Sequence, residues 1–405
     1  MVGDLPVWAL RIRALREARG WTQVEAVKRL RAQADGRLPD PEHLVRRWKA
    51  WESAENKPGR HYAPLVAAVL GTVTGSLFAP ERSPELLGAN GMDTLEIVSR
   101  LRASDVDDAT LHALRITVDK LCSDYAHGDP GVLLTEGRQW LGRIVEMQQR
   151  RLGFRQRRES LELAGWLALL VGCVEYDRGD RRAAEATRRA AMGIGDEIDH
   201  GGIRGWAHEM RAWFALTTGD YQGTIAAAQS GQQVAGEHSV SVQLLAQEAR
   251  AWARIGRPRE MRSALERGRE LLESLPYPDN IDNHFVVDPA KYDFYVMHCH
   301  RHVGDDRLAR TLADDVIRAG TDPGGRERAP MRIAEARITL AVAAAREGDL
   351  DAAVGYGHQA LAGDRQSLPS LAASSQDLAT ALTPHSNQPE IRDYLARLSG
   401  INQTG

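Results

Sequence analysis

Glycine recurs five times at the end of an apolar, helix-forming run: Gly179, Gly219, Gly256, Gly304 and Gly348, at intervals of 40, 37, 48 and 44 residues. Asp follows four of them (Asp180, Asp220, Asp305 and Asp349), and Arg257 follows the other. Glycine ends a helix because its backbone enters the left-handed region freely. Asp starts the next because its carboxylate accepts a first-turn amide. Five residues after each glycine stand Ala184, Thr224, Met261, Ala309 and Ala353; twelve after stand Ala191, Gly231, Gly268, Val316 and Ala360. Mostly small residues at these places let two helices approach closely. A recurring unit of this size predicts stacked helical hairpins, none of which buries its apolar face alone.

The remainder agrees with an all-α chain. Ala/Leu/Arg/Glu segments of roughly 12–18 residues alternate with Gly-Asp, Pro-Gly or Asp-Pro breaks, and alternating β-branched runs hardly occur. No stretch of about 18 uninterrupted apolar residues exists, which excludes a spanning helix. The beginning of the chain lacks the basic and apolar regions of a secretory signal. Cys122, Cys173 and Cys299 are odd in number and lie in apolar runs, so buried thiols in a reducing cytoplasm are expected. Gly-rich phosphate loops, GxSxG and framed carboxylate pairs are missing, and the expectation is a chain that is not an enzyme and carries no cofactor. The five units resemble the tetratricopeptide-like repeat, with a period longer than the usual ~34 residues. The array covers at least 160–365, and helices between about 94 and 158 are expected to add one or two degenerate units. The stretch 275–289 is an insertion inside the 48-residue step.

Charge separates the first part of the chain from the rest. Overall there are 52 Lys/Arg and 55 Asp/Glu; residues 1–80 hold 13 against 8, a net of +5, and the remainder has a net of −8. A basic head on an acidic body suggests a nucleic-acid module. Val7 to Arg19 reads as an amphipathic helix closed by Gly20, and Thr22 with Glu25 reads as a capping box. A third helix starts at Asp40-Pro41. There Leu44, Trp48 and Trp51 share a face that should be buried. Glu42, His43, Arg46 and Lys49 point away from it, with Arg47 at the flank. A helix of that kind suits a major groove, where Arg takes guanine O6 and N7 together and Lys meets phosphates.

The run Leu15-Arg16-Glu17-Ala18-Arg19-Gly20-Trp21-Thr22-Gln23, with Trp51-Glu52 and Pro58 downstream, resembles the Xre (Cro/C1-type) helix-turn-helix family over about residues 7–78. The resemblance implies that Gln23 opens helix two and touches the DNA backbone. It departs from the family at Arg31–Pro39, where extra residues separate helices two and three. The stretch Asn283 to Lys291 followed by Gly304-Asp305 resembles actinobacterial Xre regulators with a C-terminal tetratricopeptide-like domain, and more remotely the peptide-pheromone receptors of Gram-positive bacteria. The organisation expected is therefore a helix-turn-helix bundle (1–78), a linker (79–93) and a tetratricopeptide-like α-solenoid (94–400).

In the repeat family the first helix of each pair lines the concave surface. Carried over, this puts Trp166, Tyr176, Asp177, Trp206, Glu209, Trp213, Gln243, Arg250, Lys291, His298, Arg301, His302, Glu335 and Arg346 on that face. Mixed aromatic and charged groups there suit an extended peptide or a polar small molecule; the alternative is that the tryptophans are inter-repeat core. His298 and His302 share a helix face, but two ligands make no metal site, and none is expected. The basic run Arg150, Arg151, Arg155, Arg157 and Arg158 reads as a solvated face, with a contact to DNA flanks or to the acidic body of a partner subunit as the alternatives. The function expected is a cytoplasmic, homodimeric transcriptional regulator that binds a double-stranded DNA operator, with no membrane partner. Its repeat domain is expected to bind a signalling peptide or small molecule. The alternative is a protein-interaction scaffold with a vestigial DNA-binding head.

Overall fold

The computed structural model describes residues 5–34, 38–72, 74–78, 108–150, 152–236 and 238–404. The linker expected over 79–93 lies outside them, as do 94–107. Two compact units divide the chain, Met1–Ala89 and Asn90–Gly405. Regular structure among the described residues is helical, with one isolated bridge between Thr321 and Glu327. No helix among them is long and apolar enough to cross a membrane.

The first unit contains α1 (Val7–Glu17), α2 (Gln23–Gln33), α3 (Pro41–Glu52), α4 (Tyr62–Val69) and the short α5 (Thr74–Leu77). Thr22 accepts the Glu25 amide at 3.2 Å and starts α2. Pro41 opens α3, while the Asp40 carboxylate makes no capping bond. Helix α2 runs two residues past Arg31, so part of the extra length between helices two and three is helical. The core is Ile12, Ala26, Val27, Leu30, Leu44, Trp48, Trp51, Val66 and Leu70. Trp48, Trp51 and Tyr62 follow one another with ring centroids 5.8 and 5.5 Å apart.

The second unit is an array of helix pairs. Helices α6 (Asp108–Asp124) and α7 (Pro130–Gln148) pack on α8 (Phe154–Asp177), which pairs with α9 (Arg181–Glu197). Four more pairs follow: α10 (Gly201–Thr217) with α11 (Tyr221–Ala235), α12 (Val240–Arg254) with α13 (Pro258–Ser274), α14 (Pro289–Val303) with α15 (Asp306–Ala319), and α16 (Pro330–Glu347) with α17 (Leu350–Leu361). The chain ends with α18 (Leu368–Leu382) and α19 (Pro389–Thr404), the latter continuing past Gly400. Each first helix also packs on the next first helix: α8 on α10, α10 on α12, α12 on α14, α14 on α16 and α16 on α18. That is the packing of a helical solenoid.

The five periodic glycines make the same turn. Their φ angles are +86°, +82°, +72°, +79° and +86°, all in the left-handed region. In each, the amide of the next residue reaches the carbonyl five residues back: Asp180 to Glu175, Asp220 to Ala215, Arg257 to Trp252, Asp305 to His300 and Asp349 to Ala344, at 2.9–3.0 Å. This is the Schellman closure, and it satisfies helix-end carbonyls that would otherwise lack partners. Asp180, Asp220, Asp305 and Asp349 then cap the second helices through Ala183, Gly223, Leu308 and Ala352 amides. Where Asp is missing, Pro258 stands in the first turn and Arg257 makes no side-chain cap.

Small residues set the distance within pairs. Ala184, Thr224, Ala309 and Ala353 are fully buried. A methyl group on Gly231 would stand 2.7 Å from Leu244 Cδ2 and 2.8 Å from His208 Cβ. Gly231→Ala is therefore expected to destabilise the protein by about 1–3 kcal/mol through overpacking. Gly219→Ala has open space around it but is forced to positive φ, and is expected to cost about 1–2 kcal/mol. Urea unfolding of each variant against the parent measures both.

Candidate functional site

In the first unit, a buried carboxylate fixes the third helix. Glu52, at the end of α3, is only 1% exposed. Arg16 of α1 binds it with Nε and Nη2 at 2.6 and 3.0 Å. Gln23 Nε2 donates at 2.7 Å and Trp48 Nε1 at 2.8 Å. Arg16 also donates to the Trp21 carbonyl at 2.8 Å. One carboxylate thus holds α1, α2 and α3 together. Burial pushes the Glu52 carboxyl up, but the bonds from Arg16, Gln23 and Trp48 outweigh it, and the group lies below the usual carboxylate range.

With Leu44, Trp48 and Trp51 turned inward, α3 leaves Glu42, His43, Arg46, Arg47 and Lys49 exposed. Arg47 rests over the Tyr62 ring at 5.1 Å. Gln23 is half-buried, and its amide is engaged by Glu52, so it braces α2 against α3. The exposed set gives α3 three cations beside a histidine, with Arg46 extending from its centre.

In the second unit the inner face of the solenoid is covered, not open. Two elements cover it. The 275–288 insertion crosses to α6, where Asn280 and Asn283 both donate to Asp119 (2.9 and 2.8 Å) and the His284 amide reaches the Cys122 carbonyl at 3.0 Å. Asp282 pairs with Arg328 at 2.7 Å on the other side. Phe285 packs against the rings of Trp166 and Trp206. The second cover is α18, which packs on α8 and α10 as well as on α16. Just before it, Arg365 inserts between distant parts of the chain, donating to the Tyr125 carbonyl at 3.0 and 3.2 Å and to Asp177 at 2.8 Å. Trp213 Nε1 donates to Ser370 Oγ at 2.8 Å.

Closure divides the expected concave-face residues into two groups. Glu209, Trp213, Gln243, Arg250, Lys291 and Glu335 line one interior cavity of about 110 Å³. The others do not reach it. Tyr176 is buried, stacked on Phe214 at 3.9 Å. Asp177 is bound to Arg365. Trp166 and Trp206 support Phe285, and Trp206 is fully buried. His298 lies 3.3 Å from Glu335, and Arg301 and His302 lie 2.9 and 3.5 Å from Asp377 of α18. Arg346 donates to Asp306 and to the Arg301 carbonyl. A concave face read from repeat register alone overstates what is accessible, because α18 and the insertion occupy it.

The cavity is polar on an aromatic floor. Glu209 Oε1 accepts from Gln243 and Gln247 at 2.8 and 2.7 Å. Burial raises the Glu209 carboxyl, against those two bonds. Arg250 donates to Gln247 at 3.1 Å and lies over the Tyr295 ring at 5.5 Å. Lys291 donates to the carbonyls of His284 and Val286 and stands 5.0 Å from the Trp206 ring. Burial, helped by Arg332, brings the Lys291 ammonium down to about 8, so it is largely charged at neutral pH. Ser374 donates to Glu335 at 2.7 Å. His298 is held well below its ordinary value by burial and by Arg250 and Arg301, hence neutral. Among the described residues no group of three or more His, Cys, Asp or Glu is arranged to hold a metal ion.

Several lining residues escaped the sequence reading. Arg332 lies one turn before Glu335 on α16, so helical spacing from Glu335 would have found it. Gln247 stands one turn from both Gln243 and Arg250. Ser367 just before α18 and Ser370 in its first turn lie outside the periodic units, and nothing local in the sequence brings them here. Compared with known proteins, the chain matches no family model and no curated sequence.

Glu52 gives the clearest stability test. Its folded-state pKa is depressed, so its contribution is present above the unfolded value of about 4.5 and is lost as pH falls through the lower folded value. The protection of α3 amides against hydrogen exchange in the full chain, taken relative to the intrinsic rate at each pH, should fall below that pH. Glu52→Ala should lower that protection at neutral pH by an amount corresponding to about 3–5 kcal/mol, because Arg16 and Trp48 lose their buried partner.

Proposed function

We propose that the protein is a sequence-specific DNA-binding transcriptional regulator, with the first unit reading DNA and the helical array responding to a small molecule held in its interior cavity. The observation that carries the reading is the division of α3. Its aromatic side is locked inward by the Glu52 cluster, and its outer side carries His43, Arg46, Arg47 and Lys49. A rigid helix with free cations on one side is the physical requirement for groove recognition. The resemblance of residues 7–78 to Xre helix-turn-helix domains supports the same assignment. In this reading α3 enters the major groove, Arg46 takes a base edge, and Lys49 meets phosphate. Two copies of the chain read two half-sites about one helical turn, or a multiple, apart.

Covering of the inner face favours a small molecule over an extended peptide, since the insertion and α18 occupy the course a peptide would follow. A regulator of this design changes DNA affinity only if its ligand binds one arrangement of the chain better than another.

Fluorescence anisotropy of the full-length protein on the DNA upstream of its own gene, across a salt series, tests the assignment. Selective binding that weakens steeply with salt is expected. Arg46→Ala should cost about 1–3 kcal/mol and relax preference at one base position. Arg346→Ala, in an ion pair of the second unit, should leave the affinity unchanged. Equal affinity for unrelated DNA, with no effect of Arg46→Ala, would remove the proposal.

A further inference from the structure

The interior cavity holds cations and carboxylates that no direct ion pair joins among the described residues, although Lys291 and Arg250 act favourably on Glu209, and Glu335 on Arg250. Arg332 is half-buried and makes no hydrogen bond or ion pair among the described residues, whereas Arg328 and Arg337 on either side pair with Asp282 and Glu327. Arg250 and Lys291 are each 7% exposed and bonded only to neutral groups. On the acceptor side, Glu209 is bonded only to two glutamine amides, and Glu335 to Ser374 with neutral His298 beside it. Gln243 Oε1 and Ser367 Oγ are buried and have no hydrogen-bond partner among the described residues.

Charges and acceptors left this way in a buried site are unfavourable without a matching guest. A guest with both an anionic group, for the cations, and a donating, cationic group, for the carboxylates and Gln243 Oε1, would complement both sets. Its size is bounded too: about 110 Å³ accommodates roughly four waters at about 30 Å³ each. Trp213, Phe294 and Tyr295 supply an aromatic surface for a short side chain.

We propose that this cavity binds an amino-acid-sized zwitterion. Its carboxylate meets Arg332 and Lys291, and its ammonium meets the Glu209, Gln243 and Glu335 side. The proposal rests on reading the helical array as the ligand-responsive part of a regulator. Its test contains no DNA, so failure here and failure of operator binding are separate results.

The test is thermal unfolding of the full-length protein with each of the twenty common amino acids, and with acetate and methylamine, each at millimolar concentration. Expected is a saturable rise in Tm with at least one amino acid, and none with acetate or methylamine, which carry one charged end each. Arg332→Gln removes no internal bond and should keep the ligand-free Tm, while its half-saturating concentration rises about tenfold or more. Arg332→Lys, which keeps the charge, should recover part of the response. No response to any amino acid, an equal response to acetate, or an unchanged response in Arg332→Gln would overturn the proposal. If Arg332→Gln lowers the ligand-free Tm, Arg332→Met, which also removes the charge, takes its place with the same criterion.

Discussion

The buried guanidinium of Arg365 holds the helical array closed. It joins the turn before α18 to the Tyr125 carbonyl and to Asp177, contacts that span 240 and 188 residues of chain. An ion pair with 5% and 0% of its side chains exposed is favourable only if its remaining bonds are made, because both charges have left water. The bonds to Tyr125 supply them on the Arg365 side, while Asp177 Oδ1 is left without a hydrogen-bond partner among the described residues. With this contact in place, α18 lies against α8 and α10, Asp377 meets Arg301, and Ser370 meets Trp213. The cavity is the space that this closure and the 275–288 insertion leave unfilled.

The first unit solves a similar problem on a smaller scale. Glu52 is removed from water, and four donor atoms from three side chains compensate it. The result is directional. Donors from α1, α2 and α3 converge on one point, so the three helices cannot slide past one another without leaving a charge unpaired. That rigidity keeps the outward face of α3 in one orientation, as recognition by a helix demands. Gln23, expected from family resemblance to meet a DNA backbone, donates its side-chain amide to Glu52 inside this cluster.

Much of the architecture is legible in the sequence because it is written locally. The five glycines and four aspartates state where helices stop and start, and all nine do so. The inward set Leu44, Trp48 and Trp51 follows from helical spacing alone. The site was legible only in part, for a physical reason. Repeat register says which residues face inward, and Glu209, Trp213, Gln243, Arg250, Lys291 and Glu335, picked by it, line one cavity. It says nothing of what else faces inward. The covering of Trp166, Trp206, Tyr176 and Asp177 depends on pairings such as Asn283 with Asp119 and Arg365 with Asp177, which join segments more than 150 residues apart. No local pattern encodes such pairings.

Closure changes how the array shares its stability. An open row of helical hairpins is nearly one-dimensional: each unit touches its neighbours, and an end can unravel while the rest persists. Here the end carries Arg365 and Asp377 back onto earlier helices, so the last helices are also structural neighbours of α8 and α10. Unravelling from the C-terminal side would expose Asp177, Glu335 and Arg301 at once. The array is thereby converted from a chain of semi-independent links into a single cooperative body. Its hairpins are built from local contacts, which form fast, and its closing contacts are distant in sequence and carry the higher loop-closure entropy. The interior cavity therefore belongs to the finished body alone, and no individual repeat possesses it.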